Sequence, residues 1–129
     1  MEIGSHLISS RGLYTHHGIY IGNGQVIHYS GLADGVHQQK GSVCQVSLEE
    51  FEQGNKSYIQ NHTGAMSPDM IVQRAKSRLG EKNYHVVFNN CEHFVNWCIE
   101  GEHKSEQVIG AIRNSVKVGM ALINAVKKI

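Results

Sequence analysis

Two short stretches hold the residues whose types and spacing could do chemistry: YTHHGIYIGNGQVIH at residues 14–28 and NNCEHFVNWC at residues 89–98. In the second, Cys91 follows an Asn-Asn pair and opens a run with helical spacing. A cysteine at a helix start meets unpaired backbone N–H groups and the positive end of the helix dipole, and both stabilise its thiolate. The same N–H groups can receive the oxyanion of a tetrahedral intermediate. A thiol nucleophile also needs a base, and the first stretch offers His16, His17 and His28. One imidazole can take the cysteine proton and later return it to the leaving group. A second can orient the first through a ring-nitrogen hydrogen bond. Zinc is the rival use, with His16, His28 and Cys91 as three ligands. No tight Cys-x-x-Cys or His-x-x-x-His spacing supports it, so catalysis without metal or cofactor is the expectation. Cys44 and Cys98 are expected to be buried and inert. His6, His37, His62, His85, His93 and His103 carry no spacing signal and are expected on the surface or in loops.

Alternation decides which histidines work together. Ile19, Ile21, Ile27 and Tyr29 should share the buried face of a hairpin turning at Asn23-Gly24. A two-residue loop would split these apolar positions between faces. A three-residue loop, Gly22 to Gly24, pairs Ile21 with Gln25 and sets Gly18 opposite His28. In that register His16, Gly18, Tyr20, Val26, His28 and Ser30 share one face, and His16 sits diagonal to His28, about 7 Å away between backbone positions. His17 points the other way, among the isoleucines. The expected working pair is therefore His16 with His28.

These side chains need elements to hold them. Two β-rich runs flank the Gly-Asn-Gly turn, and a third strand is expected at Ser42 to Val46. Ser47 and Glu50 form a capping box that opens a short helix through Phe51. Residues 52–66 read as a surface loop. Ser67 as N-cap, Pro68 and Asp69 begin a helix whose apolar positions are Ile71, Ala75 and Leu79, and Gly80 ends it. A strand over Tyr84 to Phe88 leads to the Cys91 helix, capped by Asn89 or Asn90 and ended near Gly101. Over residues 108–129, Arg113, Lys117, Asn124 and Lys128 share a narrow polar strip opposite Val108, Ile112, Val116, Ile123 and Val126. The charges interrupt each apolar run before the roughly 18 residues a membrane span needs. An amphipathic helix is expected there, able to lie on a membrane surface or to pack on the domain or a partner chain.

The totals bound the class. A chain of 129 residues with 40% hydrophobic and 18% charged residues and one proline fits one soluble globular domain. A formal net charge of +1 gives no pull toward nucleic acid. Three cysteines exclude a fully paired disulfide framework. Cys91 and Cys98 lie about 10 Å apart along a helix, too far to bridge. With no apolar signal-like run at the N-terminus, a reducing cytosol is the expected compartment.

With both motifs in this order, the sequence resembles the lecithin:retinol acyltransferase family of thiol acyltransferases and phospholipases. The resemblance rests on YTHHGIYIGNGQVIH and NNCEHFVNWC, supported by Arg11-Gly12 and QRAKSRLG at residues 73–80, and runs from about Gly4 to Gly101. It implies an α+β, permuted papain-like fold, with the histidine strands ahead of the cysteine helix. The family's base histidine falls on His16, its second histidine on His28 and its nucleophile on Cys91. Where the family often has tryptophan or tyrosine after the base, this chain has His17, and Ser5 stands where an aspartate is common. The compact form resembles the bacterial members.

The expectation is thus a catalytic domain over residues 1–104 and a cationic amphipathic helix over 105–129. Cys91 would attack a glycerophospholipid or related acyl ester, with His16 as base and acid and His28 orienting it. Backbone N–H groups at the helix start would form the oxyanion hole, assisted by Tyr14 or Tyr20. The acyl group would pass from a thioester to an alcohol, an amine or water. The protein would be cytoplasmic, with peripheral membrane contact through residues 108–129. Two other readings stand beside this one: an amide-cleaving thiol peptidase or amidase, and a non-catalytic membrane- or protein-binding module.

Overall fold

The computed structural model describes residues 1–31, 41–85, 89–102 and 105–114. Five strands form one antiparallel sheet: β1 (His6–Ser10), β2 (Thr15–Gly22), β3 (Gln25–Tyr29), β4 (Val43–Ser47) and β5 (Tyr58–Gln60), in the order β4-β3-β2-β1-β5. Four helices accompany it: α1 (Leu48–Glu52), α2 (Pro68–Ser77), α3 (Cys91–Glu100) and α4 (Glu106–Asn114). The fold class is α+β, as the sequence implied. Among the described residues no helix is long and apolar enough to cross a membrane.

Strand alternation sorts the core into two layers. Ile19, Ile27, Tyr29 and Val43 face one way and pack with Ile71 and Ala75 of α2 and Phe94, Val95, Cys98 and Ile99 of α3. Leu7, Val26, Cys44 and Val46 face the other way and meet Phe51 of α1. Each fully buried leucine, isoleucine, valine or phenylalanine of these layers contributes about 1.5–3 kcal/mol by leaving water.

The hairpin register is the expected one where it matters: Gly18 pairs with His28 and Ile19 with Ile27. Its turn is built differently. Gly22, not Ile21, pairs with Gln25, and a bulge between Tyr20 and Gly22 absorbs the extra residue. Asn23 (φ 54°) and Gly24 (φ 69°) make a two-residue left-handed turn, which matches strand twist without a longer loop. One extra residue in the bulge keeps the isoleucines on one face, the outcome the three-residue loop was meant to secure.

Other elements correct the sequence reading. β1 carries no strong alternation and was not expected, yet Leu7 and Ile8 make it a central strand. β5 lies inside the expected loop at 52–66, as an exposed edge strand paired with β1. α2 stops at Ser77, so Leu79 lies beyond its buried stripe and is 42% exposed. The strand expected over Tyr84–Phe88 falls partly outside the described residues; what is described is an isolated bridge between His85 and Asn89. The expected helix over 108–129 is described as α4 to Asn114, and its remainder lies outside the described residues.

Candidate active site

The histidines of the first motif and Cys91 of the second are all buried. His16 and His28 are each 2% exposed, and His16 Nε2 lies 2.6 Å from His28 Nδ1. The two rings meet edge to face and both lean on the Phe51 ring. Gly18, opposite His28, leaves the room for this: a Cβ there would stand 2.6 Å from Val26 Cγ1 and 2.8 Å from Phe51 Cε1. The other nitrogen of His28, Nε2, is 3.3 Å from Cys44 Sγ, so Cys44 is buried, as expected, yet touches the pair.

Burial lowers the pKa of His16 to about 3, and the nearby Arg11 and His17 charges push in the same direction. An imidazolium there is costly, so the resting ring is neutral and open to a proton. Arg11 itself is held against the α1 end, donating to Ser9 Oγ at 2.7 Å and to the Phe51 carbonyl.

Cys91 is the first residue of α3 and is 4% exposed. Asn90 caps the helix: its Oδ1 accepts from the Glu92 and His93 backbone N–H groups at 3.0 Å each, and His93 Nδ1 accepts from Asn90 N. His93 is therefore a buried capping residue rather than a surface one. All of α3 except Trp97 and Glu100 is buried, which fits a helix packed on several sides. Arg74 of α2 secures it from outside, donating to the Trp97 carbonyl at 2.8 Å while its guanidinium stacks 3.7 Å over the Trp97 ring.

The helix start is also tied to α4. Glu92 Oε1 accepts from Ser105 Oγ at 2.6 Å and from Gln107 N at 3.0 Å. Gln107 Oε1 in turn accepts from Thr15 N at 3.0 Å, beside the histidines of β2. The β2–β3 ladder ends at Gly18 and His28, while Thr15, His16 and His17 continue only along β1 among the described residues. The sheet therefore opens between β2 and β3 next to His16.

Of the two tyrosines expected to assist an oxyanion, Tyr14 is 41% exposed in the β1–β2 turn, and the Tyr20 hydroxyl accepts from Gly24 N at 3.1 Å in the hairpin turn. Cys98 is buried, as expected, and burial pushes its thiol up to about 12. Among the described residues no group of three His, Cys, Asp or Glu side chains is arranged to hold a metal ion.

Sequence reasoning missed a second set. His6 and Glu92 are buried beside His17, whose burial among the isoleucines was expected, and His62 bonds to both His6 and Glu100. Only Glu92 had a local signal, its place directly after Cys91. His6 and His62 lie 56 positions apart, and no periodicity links them. His85 is exposed as expected, while His37 and His103 lie outside the described residues.

Comparison with known proteins gives consistent matches. The family model described as lecithin retinol acyltransferase matches residues 1–104. Phospholipase A and acyltransferase 3 of Mus musculus is 31% identical over 134 aligned positions, covering 90% of this chain and 82% of that protein. Phospholipase A and acyltransferase 2 of Homo sapiens is 30% identical, covering 96% of this chain and 85% of its own length. Lecithin retinol acyltransferase of Rattus norvegicus is 30% identical over 76% of this chain, which spans 54% of that relative.

Proposed function

The chain belongs to the lecithin retinol acyltransferase family, and from that premise we propose a thiol enzyme in which Cys91 attacks the ester carbonyl of a glycerophospholipid or related lipid. The observation that carries the residue assignment is the 2.6 Å bond between His16 Nε2 and His28 Nδ1, buried beside the opening in the sheet. Family membership implies the permuted papain-like arrangement; we place the catalytic unit in residues 1–104, and a cationic amphipathic helix over 105–129 after it follows from the charge pattern of the tail.

In this reading the thiol meets His16 Nδ1 through the gap between β2 and β3. His16 takes the Cys91 proton as the sulfur–carbon bond forms, and the carbonyl electrons move to oxygen. Collapse of that intermediate breaks the ester C–O bond, and His16 returns the proton to the departing lysolipid oxygen. A thioester remains. An alcohol, an amine or water then attacks it, His16 again moving the proton, and the thiol is restored.

A base at Nδ1 requires His16 to carry its own hydrogen on Nε2 and donate it to His28 Nδ1. His28 then keeps its hydrogen on Nε2 and donates it toward Cys44 Sγ, 3.3 Å away. His28 thus fixes both the orientation and the tautomer of the base. We assign the Cys91 backbone N–H, at the positive start of α3, to the oxyanion. Tyr14 stands nearest in role as a second donor, because the Tyr20 hydroxyl serves the hairpin turn.

The test is intact-mass analysis after incubation with phosphatidylcholine. The expected result is an acyl adduct on Cys91 and fatty acid release that Cys91→Ala abolishes. Absence of both, in a folded protein, would leave the binding-module reading. Amine release from peptides with lipids untouched would favour the amidase.

A further inference from the structure

On the α3 side of the sheet runs a chain of side chains that the thiol chemistry does not use. His6 Nδ1 lies 2.7 Å from His62 Nε2, and His6 Nε2 lies 2.7 Å from His17 Nδ1. His17 Nε2 lies 2.9 Å from Thr15 Oγ1 and 4.0 Å from Glu92 Oε2. At the outer end His62 Nδ1 meets a carboxylate oxygen of Glu100. His6 and His17 are each 2% exposed, whereas the Glu100 side chain is 19% exposed.

With Glu100 ionised and the three rings neutral, the hydrogen bonds of this chain can run only one way. A carboxylate only accepts, so His62 Nδ1 donates to it. A neutral imidazole has one N–H, so His62 Nε2 accepts, and His6 Nδ1 must supply that proton. His6 Nε2 then accepts from His17 Nδ1, and His17 Nε2 accepts from the Thr15 hydroxyl. Every ring is satisfied with a single proton. The only pattern that reverses the links between the rings while keeping all four links adds one proton to the Glu100–His62 pair, on the carboxylate or on His62 as an imidazolium. A proton added to the Glu100–His62 pair reverses the links between the rings and puts an N–H on His17 Nε2, facing Thr15 and the Glu92 carboxylate.

The path also closes a circuit around α3. Glu100 is its last residue and Glu92 its second, next to Cys91; between them the chain passes through the loop after β5, then β1, then β2. We infer that Glu100, His62, His6 and His17 form a polarised positioning relay, in which the Glu100 carboxylate holds all three rings as Nδ1–H tautomers and so sets what His17 presents to the start of the Cys91 helix. The effect on Cys91 rests on the proposed function; the tautomers do not. Burial lowers His6 to about 2, and a proton on neighbouring His17 or His62 would push it in the same direction. Burial lowers His17 to about 4 against the pull of Glu92, so both rings stay neutral at ordinary pH.

The experiment is two-bond proton–nitrogen NMR of the full chain labelled with nitrogen-15, at neutral pH, beside iodoacetamide alkylation of Cys91. The expected result is Nδ1–H for His6, His17 and His62, the reverse of the form a free histidine favours in water. Glu100→Gln should mix or reverse the three tautomers and change the Cys91 alkylation rate between about twofold and thirtyfold. Glu100→Asp should restore both. An Nε2–H or doubly protonated His6 or His17 in the unaltered protein overturns the relay, and this reading needs no variant to fold. Tautomers that ignore Glu100→Gln overturn the carboxylate's role, and altered tautomers with an unchanged alkylation rate overturn the link to Cys91. Neither readout uses lipid turnover, so an enzyme inactive on lipids with the expected tautomers and coupling would refute the proposed function and leave the relay standing.

Discussion

Adjacent His16 and His17 point to opposite faces of β2, and their substitutions should fail in different ways. His16 holds the bond to His28, so His16→Ala should lower turnover by about 10²–10⁴ and, by leaving buried His28 without that partner, also cost about 1–3 kcal/mol of stability. His17→Phe keeps that pair and strips hydrogen-bond partners from buried His6 and from Thr15. Its cost should be about 1–3 kcal/mol of stability, with most turnover per folded molecule retained. Urea unfolding and steady-state rates on both variants check this. A stable, inactive His17→Phe beside an active His16→Ala would reverse the assignment. These two roles were legible in part: alternation separated the two rings, but nothing local showed that His17 would find partners 11 residues upstream in β1 and, through it, 56 residues beyond.

At the scale of elements, Gly18 shows why β2 and β3 can hold two imidazoles against a phenyl ring. The α1 helix brings Phe51 onto this face, and its ring edge sits where any β-carbon at position 18 would go. Gly18→Ala must displace Val26 or Phe51, and overpacking of this kind costs about 1–3 kcal/mol. Chemical denaturation should show that loss, together with a drop in turnover as Phe51 leaves the His16 and His28 rings. An unchanged midpoint would mean the layer yields freely. The start of α1 was readable from the Ser47–Glu50 pattern, and Ser47 Oγ indeed accepts from Glu50 N at 3.1 Å as the N-cap. What Phe51 covers was not readable, because a cap fixes where a helix starts and not which face of which sheet it meets.

For the whole molecule, the burial of neutral histidines makes acid the weak side of stability. The pKa values of His6, His16 and His17 fall from 6.5 to about 2, 3 and 4 on folding. Below pH 6.5 the unfolded chain binds protons that the folded chain refuses, so stability falls as pH drops toward each folded value. Each ring contributes a slope of about 1.4 kcal/mol per pH unit within its window. Urea midpoints should therefore decline from pH 7 to pH 5, and a flat profile would show that these rings are not held neutral. The tail offers a separate test of the proposed membrane contact. Truncation after Gln107 keeps the residue that bonds Thr15 and Glu92 and removes the cationic amphipathic segment. Binding to anionic vesicles should then be lost and turnover of a dispersed short-chain ester kept. Equal vesicle binding by both forms would refute the tail's role.

Local rules acting within a few residues determined much from the sequence alone. They include the caps at Ser47 and Ser67, a cap at Asn89 or Asn90 before the Cys91 helix, the pairing of Gly18 with His28, and the shared face of His16 and His28, while the α+β class came from the motifs' resemblance to a family. Strand alternation and helix capping depend on neighbours, so they can be read along a chain. Tertiary structure decided what depends on contacts between distant segments: the strand made by His6–Ser10, the Cys44 sulfur beside His28, and the line from Glu100 through three rings to Thr15. A buried imidazole must find partners for its nitrogens wherever the fold brings them. Its sequence neighbours place it on a face, and only the packing of β1, β2, α3 and the loop after β5 supplies the partner.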